Sequence, residues 1–369
     1  MRVGCPKEIK NHEYRVGLTP GAVREYVAHG HSVLIETNAG AGIGADDAAY
    51  VAAGAKIAAT AKEVFDNSDM IVKVKEPQPS EWVQLREGQI LYTYLHLAPD
   101  PEQTKGLIAS GVTAVAYETV TDERGGLPLL APMSEVAGRL SIQAGAFSLQ
   151  KANGGRGILL GGVPGVTPAK VAVIGGGVVG LHAAKMAVGL GADVTILDRS
   201  IPRLRQLDDI FNGRVHTRFS TIDALEQEVF AADLVIGAVL IPGAAAPKLV
   251  TKKMLGGMKK GAVIVDVAID QGGCFETSHA TTHSDPTYEV DGIIHYCVAN
   301  MPGAVPITSA HALNNATLAH GLALADHGLE AIRKDKHLQN GLNVHKGKIT
   351  NKPVADSLGY EMHEPLSVL

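Results

Sequence analysis

The sequence predicts an α/β fold of two parallel-sheet units, with the second inserted into the first. Three observations carry this. Short apolar runs alternate with helical stretches from the first residues onward, which implies parallel sheets covered by helices on both faces. One strand–helix–strand stretch, residues 171–198 (VAVIGGGVVGLHAAKMAVGLGADVTILD), turns on a cluster of glycines. At residues 300–306 (NMPGAVP) the alternation breaks and an alanine- and leucine-rich helical stretch follows, so the chain leaves the second unit there. The expected division is residues 1–130 with 306–369, and 131–305 between them. A chain of 369 residues, 46% hydrophobic, is long enough for two sizeable cores. With aromatics at 4% and 42 glycines, those cores are expected to be aliphatic and closely packed.

In the first unit, Met1 to Cys5 reads as a strand, and Thr19 and Pro20 as the cap and first residue of a helix to Ala28. Strands are expected at His31–Glu36, Met70–Val74, Gln89–Leu97 and Val112–Tyr117, with helices around Ala48–Ala53 and over 101–111. Pro132–Gln150 reads as a long helix with small residues on one face, leading through a glycine-rich connector to Val171. The second unit continues with helices at Ile201–Phe211 and Asp223–Phe230. Its further strands are expected at Val215–Phe219, Leu234–Leu240, Ala262–Ile269 and Ile293–Ala299. Thr308–Arg333 is expected to be largely helical, and the polar tail from Lys334 loop-like.

The glycine turn follows a predicted strand, opens a predicted helix and has an acid, Asp198, 18 residues after its last glycine. That is the context of a dinucleotide-binding Rossmann unit. Gly175 allows the tight turn, Gly177 a close backbone approach to a pyrophosphate, and Gly180 close helix–strand packing. The helix start attracts phosphates. Asp198 accepts from a ribose diol and repels a 2′-phosphate, which favours NAD, while Arg199 leaves an opening for NADP. The competing reading is a glycine-rich turn with no ligand.

A formal net charge of −5 and the absence of a dense basic run argue against a nucleic-acid partner. The three cysteines, Cys5, Cys274 and Cys297, form no CxxC pair, so no disulfide framework or metal centre is expected. The start, MRVGCPKEIK, has no apolar leader, and no stretch is apolar enough for a bilayer. A cytoplasmic setting without a membrane partner is expected.

Ligands of such sheets sit beyond the carboxyl ends of strands. His96, Arg15 and Lys75 all follow apolar runs. His96 has the pKa range for proton transfer at neutral pH, or is a histidine satisfied at a strand end. Arg15 offers a fork for a carboxylate and Lys75 a point charge, or each is a solvated surface charge. Asp270 ends a strand on the cofactor side, or initiates a turn before Gly272 and Gly273. Asp266, inside the strand, reads as structural. Ser134 sits in a helical first turn, where a hydroxyl caps N–H groups or meets a phosphate or amide.

The chain resembles the family that joins alanine dehydrogenases with the NAD-binding subunits of proton-translocating transhydrogenases. The match lies in MRVGCPKEIKNHEYRVGLTP at the start, VKVKEPQP at 72–79, YLHLAPDP at 94–101 and MSEVAGRLSIQAGA at 133–146. It continues in VAVIGGGVVG at 171–180, GAVLIPGAAAPKLV at 237–250, VIVDVAIDQGGCFETS at 263–278 and VANMPGAVPITS at 298–309. The resemblance implies reversible oxidative deamination of L-alanine to pyruvate and ammonia with NAD, in a homohexamer. It implies that Arg15 and Lys75 hold the substrate, that His96 is the acid/base and that Asp270 positions water or ammonia. The cofactor contacts it implies are Ser134, Val178, Val179, Asp198, Arg203, Ser220, Val239, Leu240, Val267, Ala268, Ile269, Val298, Asn300 and Met301, with Ala299 and His279 beside them. Two departures stand out: Ala245, where many relatives have lysine, and His279, where arginine is common. Both remove positive charge, so weaker NAD affinity is expected. The alternatives are a transhydrogenase subunit without a small substrate, another amino-acid dehydrogenase of this architecture such as a saccharopine type, and a cofactor sensor without catalysis.

Overall fold

A computed structural model describes residues 1–239 and 246–369. Leu240 and Ala245 lie outside the described residues. The chain divides into two compact units, Met1–Met133 with Val305–Leu369, and Ser134–Ala304.

The first unit opens with six parallel strands: β1 (Arg2–Cys5), β2 (Ser32–Glu36), β3 (Lys56–Ala58), β4 (Met70–Val72), β5 (Ile90–Thr93) and β6 (Thr113–Ala116). They stand in the order β6-β5-β4-β1-β2-β3. The order reverses between β1 and β4, which opens a crevice at their carboxyl ends. The helix Pro20–Ala28 begins where expected: the Thr19 side chain accepts from Ala22 N at 3.3 Å.

The second unit holds β7 (Lys170–Ile174), β8 (Asp193–Asp198), β9 (His216–Phe219), β10 (Leu234–Gly237), β11 (Val263–Asp266), β12 (Thr287–Val290) and β13 (Ile293–Tyr296). Their order is β12-β13-β11-β10-β7-β8-β9, so it repeats the first arrangement and reverses between β7 and β10. Only β12 runs antiparallel. Alternate residues of these strands feed two cores. Val171, Val173, Ile196, Ile236 and Val265 bury on one face, and Ala172, Ile174, Leu197, Val235 and Ile264 on the other. Burial on both faces explains the continuous apolar runs in the sequence.

The tail overturns the expectation of a loop. It forms helices at Lys336–Gly341 and Lys352–Leu358, and strands β14 (Leu342–His345) and β15 (Lys348–Ile349). Strand β14 extends the first sheet antiparallel to β6. Its polar residues are buried because they find partners: Asn343 Nδ2 donates to Thr119 Oγ1 at 2.8 Å, and His345 Nδ1 meets Thr113 Oγ1 at 3.0 Å. Strands β3 and β12 and the helices Ala61–Asn67 and Pro79–Trp82 also form where no element was expected.

Candidate active site

In the second unit the turn after β7 has the geometry of a phosphate cradle. Gly175 adopts φ +101°, and a Cβ there would meet Ala238 O at 2.7 Å. A Cβ on Gly180 would lie 1.8 Å from Gly175 O, so only glycine lets the helix Val178–Gly189 start this close to the strand. Gly177 is different: nothing lies within 4 Å of its Cβ position, so the N-cap of the helix faces open space. Free helix N–H groups beside open space suit a pyrophosphate.

Asp198 ends β8, and both its oxygens are held. Oδ2 accepts from Gly176 N at 2.7 Å and Oδ1 from Ser200 N at 2.8 Å. Arg203 Nε donates to Gly176 O at 2.6 Å, so the two side chains clasp both sides of one glycine. Ser220 follows β9 and its N–H bonds to Asp198 O at 3.0 Å. Val239 and Val267–Ile269 follow β10 and β11, and Val298–Met301 follow β13. All the described cofactor candidates on these loops thus share one carboxyl edge. Val178 and Val179 begin the helix above it, and Ser134 stands half-buried in the helix Ala131–Ser148.

Asp266 is fully buried and accepts from Cys274 N at 2.9 Å, Ala268 N at 3.2 Å and Ser278 Oγ at 2.6 Å. Burial raises its pKa against those bonds. It fastens the loop that presents Asp270, which is exposed on the short 3-10 turn Ile269–Gln271. His279 is exposed and stacks on Tyr288, with ring centroids 3.7 Å apart.

In the first unit Arg15 is not a surface charge. Its side chain is 2% exposed and forks onto Glu13, Nε to Oε1 at 2.6 Å and Nη2 to Oε2 at 2.5 Å. Burial opposes the charge, but the Glu13 bonds and charge outweigh it and hold the guanidinium above its ordinary pKa. Arg15 Nη1 also reaches Met133 Sδ at 3.1 Å. Lys75, 12% exposed, follows β4, with Nζ 3.9 Å from Glu76. Burial favours a neutral Glu76, yet Lys75 and Lys10 overcome it and hold that carboxyl low.

His96 follows β5 in the left-handed region, φ 50°, which is uncommon for a side-chain-bearing residue. Glu118, just after β6, supports it by accepting from His96 N at 2.6 Å and Leu95 N at 3.2 Å. The imidazole stacks on Tyr94 at 5.8 Å and stays 46% exposed. Tyr94 is buried, bonds to Leu129 O at 2.6 Å and interacts electrostatically with Arg15. Arg15, Lys75 and His96 therefore follow strands β1, β4 and β5 of one sheet, with Tyr94 linking the first and last.

The sequence reading missed the acids behind these cations. Glu8, Glu13 and Lys73 lie inside stretches that carry the family resemblance, but nothing in the local pattern pairs them, and Glu118 and Glu81 carry no motif of their own. Among the described residues no helix is long and apolar enough to cross a membrane. Among them, too, no group of three His, Cys, Asp or Glu side chains could hold a metal ion.

Family models for the alanine dehydrogenase/PNT N-terminal and C-terminal domains match residues 4–137 and 141–352. The chain belongs to the alanine dehydrogenase/PNT family. It is similar to an alanine dehydrogenase of Halomonas elongata, 60% identical over the whole of both chains. It is also similar to one of Mycobacterium tuberculosis, 54% identical over the whole of both. Its fold is similar to a solved L-alanine dehydrogenase, with TM-score 0.95 and 53% identity, over 97% of this chain and 99% of that one. A transhydrogenase from Sinorhizobium meliloti is more distant, with TM-score 0.83 and 25% identity, over 95% and 100% of the chains.

Proposed function

We propose that this chain is an NAD-dependent L-alanine dehydrogenase, catalysing reversible oxidative deamination of L-alanine to pyruvate and ammonia. The observation that carries the proposal is the end-to-end match, at 54–60% identity, with relatives that bear that name. The transhydrogenase reading is supported by a likeness of only 25%.

The residues present fit NAD. The open N-cap at Gly177 admits a pyrophosphate, and the fixed Asp198 carboxylate offers acceptors for a ribose diol and repels a 2′-phosphate. NAD, when bound, supplies the hydride acceptor. Arg15 and Lys75 neutralise and orient the carboxylate and carbonyl end of the substrate. Loss of hydride and a proton from alanine leaves an imine; water adds to its carbon and ammonia departs. His96 takes and returns the protons of that addition, and the exposed Asp270 carboxylate positions the water or ammonia. Stacking on Tyr94 and the Glu118 clamp aim the imidazole before substrate arrives.

The proposed assembly is a homohexamer of a soluble, cytoplasmic enzyme. In the second unit Leu159, Val163, Val166 and Leu190 are all exposed; Val163 bridges to Val166, and the backbone at Gly161 lies against Leu190 O, which draws them together. An apolar patch of this kind suits contact with another subunit. Light scattering on the purified protein reads the assembly directly. The activity test is NADH formation from L-alanine and NAD. Absence of alanine-dependent NADH, with NADH binding intact, would overturn the proposal in favour of a transhydrogenase subunit or a sensor.

A further inference from the structure

A fully buried lysine, Lys73, lies two residues before Lys75 and takes no part in the chemistry above. Its side chain is 0% exposed, and Nζ donates to Glu8 Oε2 at 3.0 Å and Glu81 Oε1 at 2.8 Å. Both acids are buried as well. Taking three charges out of water is costly, and replacing such a set by apolar residues is often neutral or stabilising. A role beyond stability is therefore the better account.

Every backbone polar group from Lys73 to Lys75 is tied. Lys73 N bonds to Tyr92 O at 3.1 Å and Val74 O accepts from Tyr94 N at 3.3 Å. Lys73 O accepts from the Tyr117 hydroxyl and Lys75 O from the Thr93 hydroxyl, each at 3.0 Å. The remaining donors, Val74 N at 2.7 Å and Lys75 N at 3.4 Å, both point to Glu8 Oε1. Glu8 thus grips Lys73 with one oxygen and the backbone of Lys75 with the other. Its charge is also felt by Arg15. Glu81 behaves differently: beyond Lys73, its free oxygen accepts from Gln78 N at 2.7 Å, inside its own helix cap.

We infer that Glu8 is a positioning residue for substrate binding, held by the Lys73–Glu81 pair, which sets the backbone from which Lys75 reaches the substrate. This rests on the proposed function, in which Lys75 holds pyruvate or alanine. The charged triad keeps Glu8 in one rotamer, so the lysine is aimed before substrate arrives.

The test compares Glu8→Gln with Glu81→Gln. Each removes one ion pair to Lys73, but in Glu8→Gln the single amide oxygen cannot serve both Lys73 and the backbone of Lys75, whereas Glu81→Gln leaves the grip on Lys75 untouched. Glu8→Gln is expected to raise the pyruvate KM at least tenfold, with kcat within threefold and the NADH KM within twofold. Glu81→Gln is expected to leave the pyruvate KM within threefold, whatever its melting temperature, and Glu8→Asp to recover part of the loss. A wild-type pyruvate KM in Glu8→Gln overturns the inference. So does an equal rise in Glu81→Gln, which reduces the triad to general support. Should Glu8→Gln be recovered unfolded by circular dichroism, Glu8→Asp decides: a raised pyruvate KM at retained kcat supports the inference, and an unchanged KM overturns it. A wild-type protein without alanine-dependent NADH formation fails the functional reading, whereas an active wild type with an indifferent Glu8 fails only this inference.

Discussion

At the scale of single residues, Arg15, Lys75 and His96 are each held by an acid or a ring: Glu13, Glu76 and Tyr94 stand within two positions of them in the chain, whereas Glu118 reaches His96 across 22. His96 sits at φ 50°, a conformation that costs energy and persists because Glu118 binds its N–H. If it is the acid/base, His96→Ala lowers kcat by about 10²–10⁴. NADH binding, followed by fluorescence titration, stays unchanged; full activity in that variant would remove His96 from the chemistry. His279 stacks on Tyr288 and offers the cofactor less charge than an arginine would. His279→Arg is therefore expected to lower the KM for NAD, and an unchanged or higher value counts against a cofactor contact there. His96, Arg15 and Lys75 were legible as chemistry-bearing types after apolar runs. Glu13 was not, because two charges that neutralise each other in a core look in sequence like ordinary surface residues.

At the scale of elements, the turn from β7 into its helix is where local sequence and local structure agree most closely. Its glycines make different demands, and substitution separates them. Gly180→Ala sets a Cβ 1.8 Å from Gly175 O and forces a shift, an overpacking cost of about 1–3 kcal/mol. It should lower the melting temperature. Gly177→Ala meets nothing within 4 Å and keeps an extended backbone, φ −65° and ψ −158°, that alanine adopts. It should fold as wild type while its NADH dissociation constant rises about tenfold, because the methyl group occupies the pyrophosphate's approach. Equal NADH affinity in Gly177→Ala would show that the phosphates lie elsewhere. The same comparison explains the failure at the tail. Strand β14 has no apolar run; its Asn343 and His345 are buried against Thr119, in the 3-10 turn after β6, and Thr113 on β6.

At the scale of the whole molecule, both units bury histidines that the fold keeps neutral. His31, His295 and His345 are 9%, 0% and 1% exposed, and burial lowers each from its ordinary value of 6.5. Below about pH 6.5 the unfolded chain binds protons that the folded chain refuses, so stability falls as pH falls. The melting temperature should drop between pH 7 and 5; a flat profile there would mean that these rings are solvated. Periodicity and the glycine turn already contained the two α/β units and the dinucleotide cradle, because short-range spacing and backbone freedom are local properties; the reaction came only from the family resemblance. Which acid answers which cation, which polar side chain is safe inside the core, and how the backbone of Lys75 is held depend on groups brought together by strand order. Lys73 meets Glu8 across 65 positions of chain, and no local pattern records that meeting.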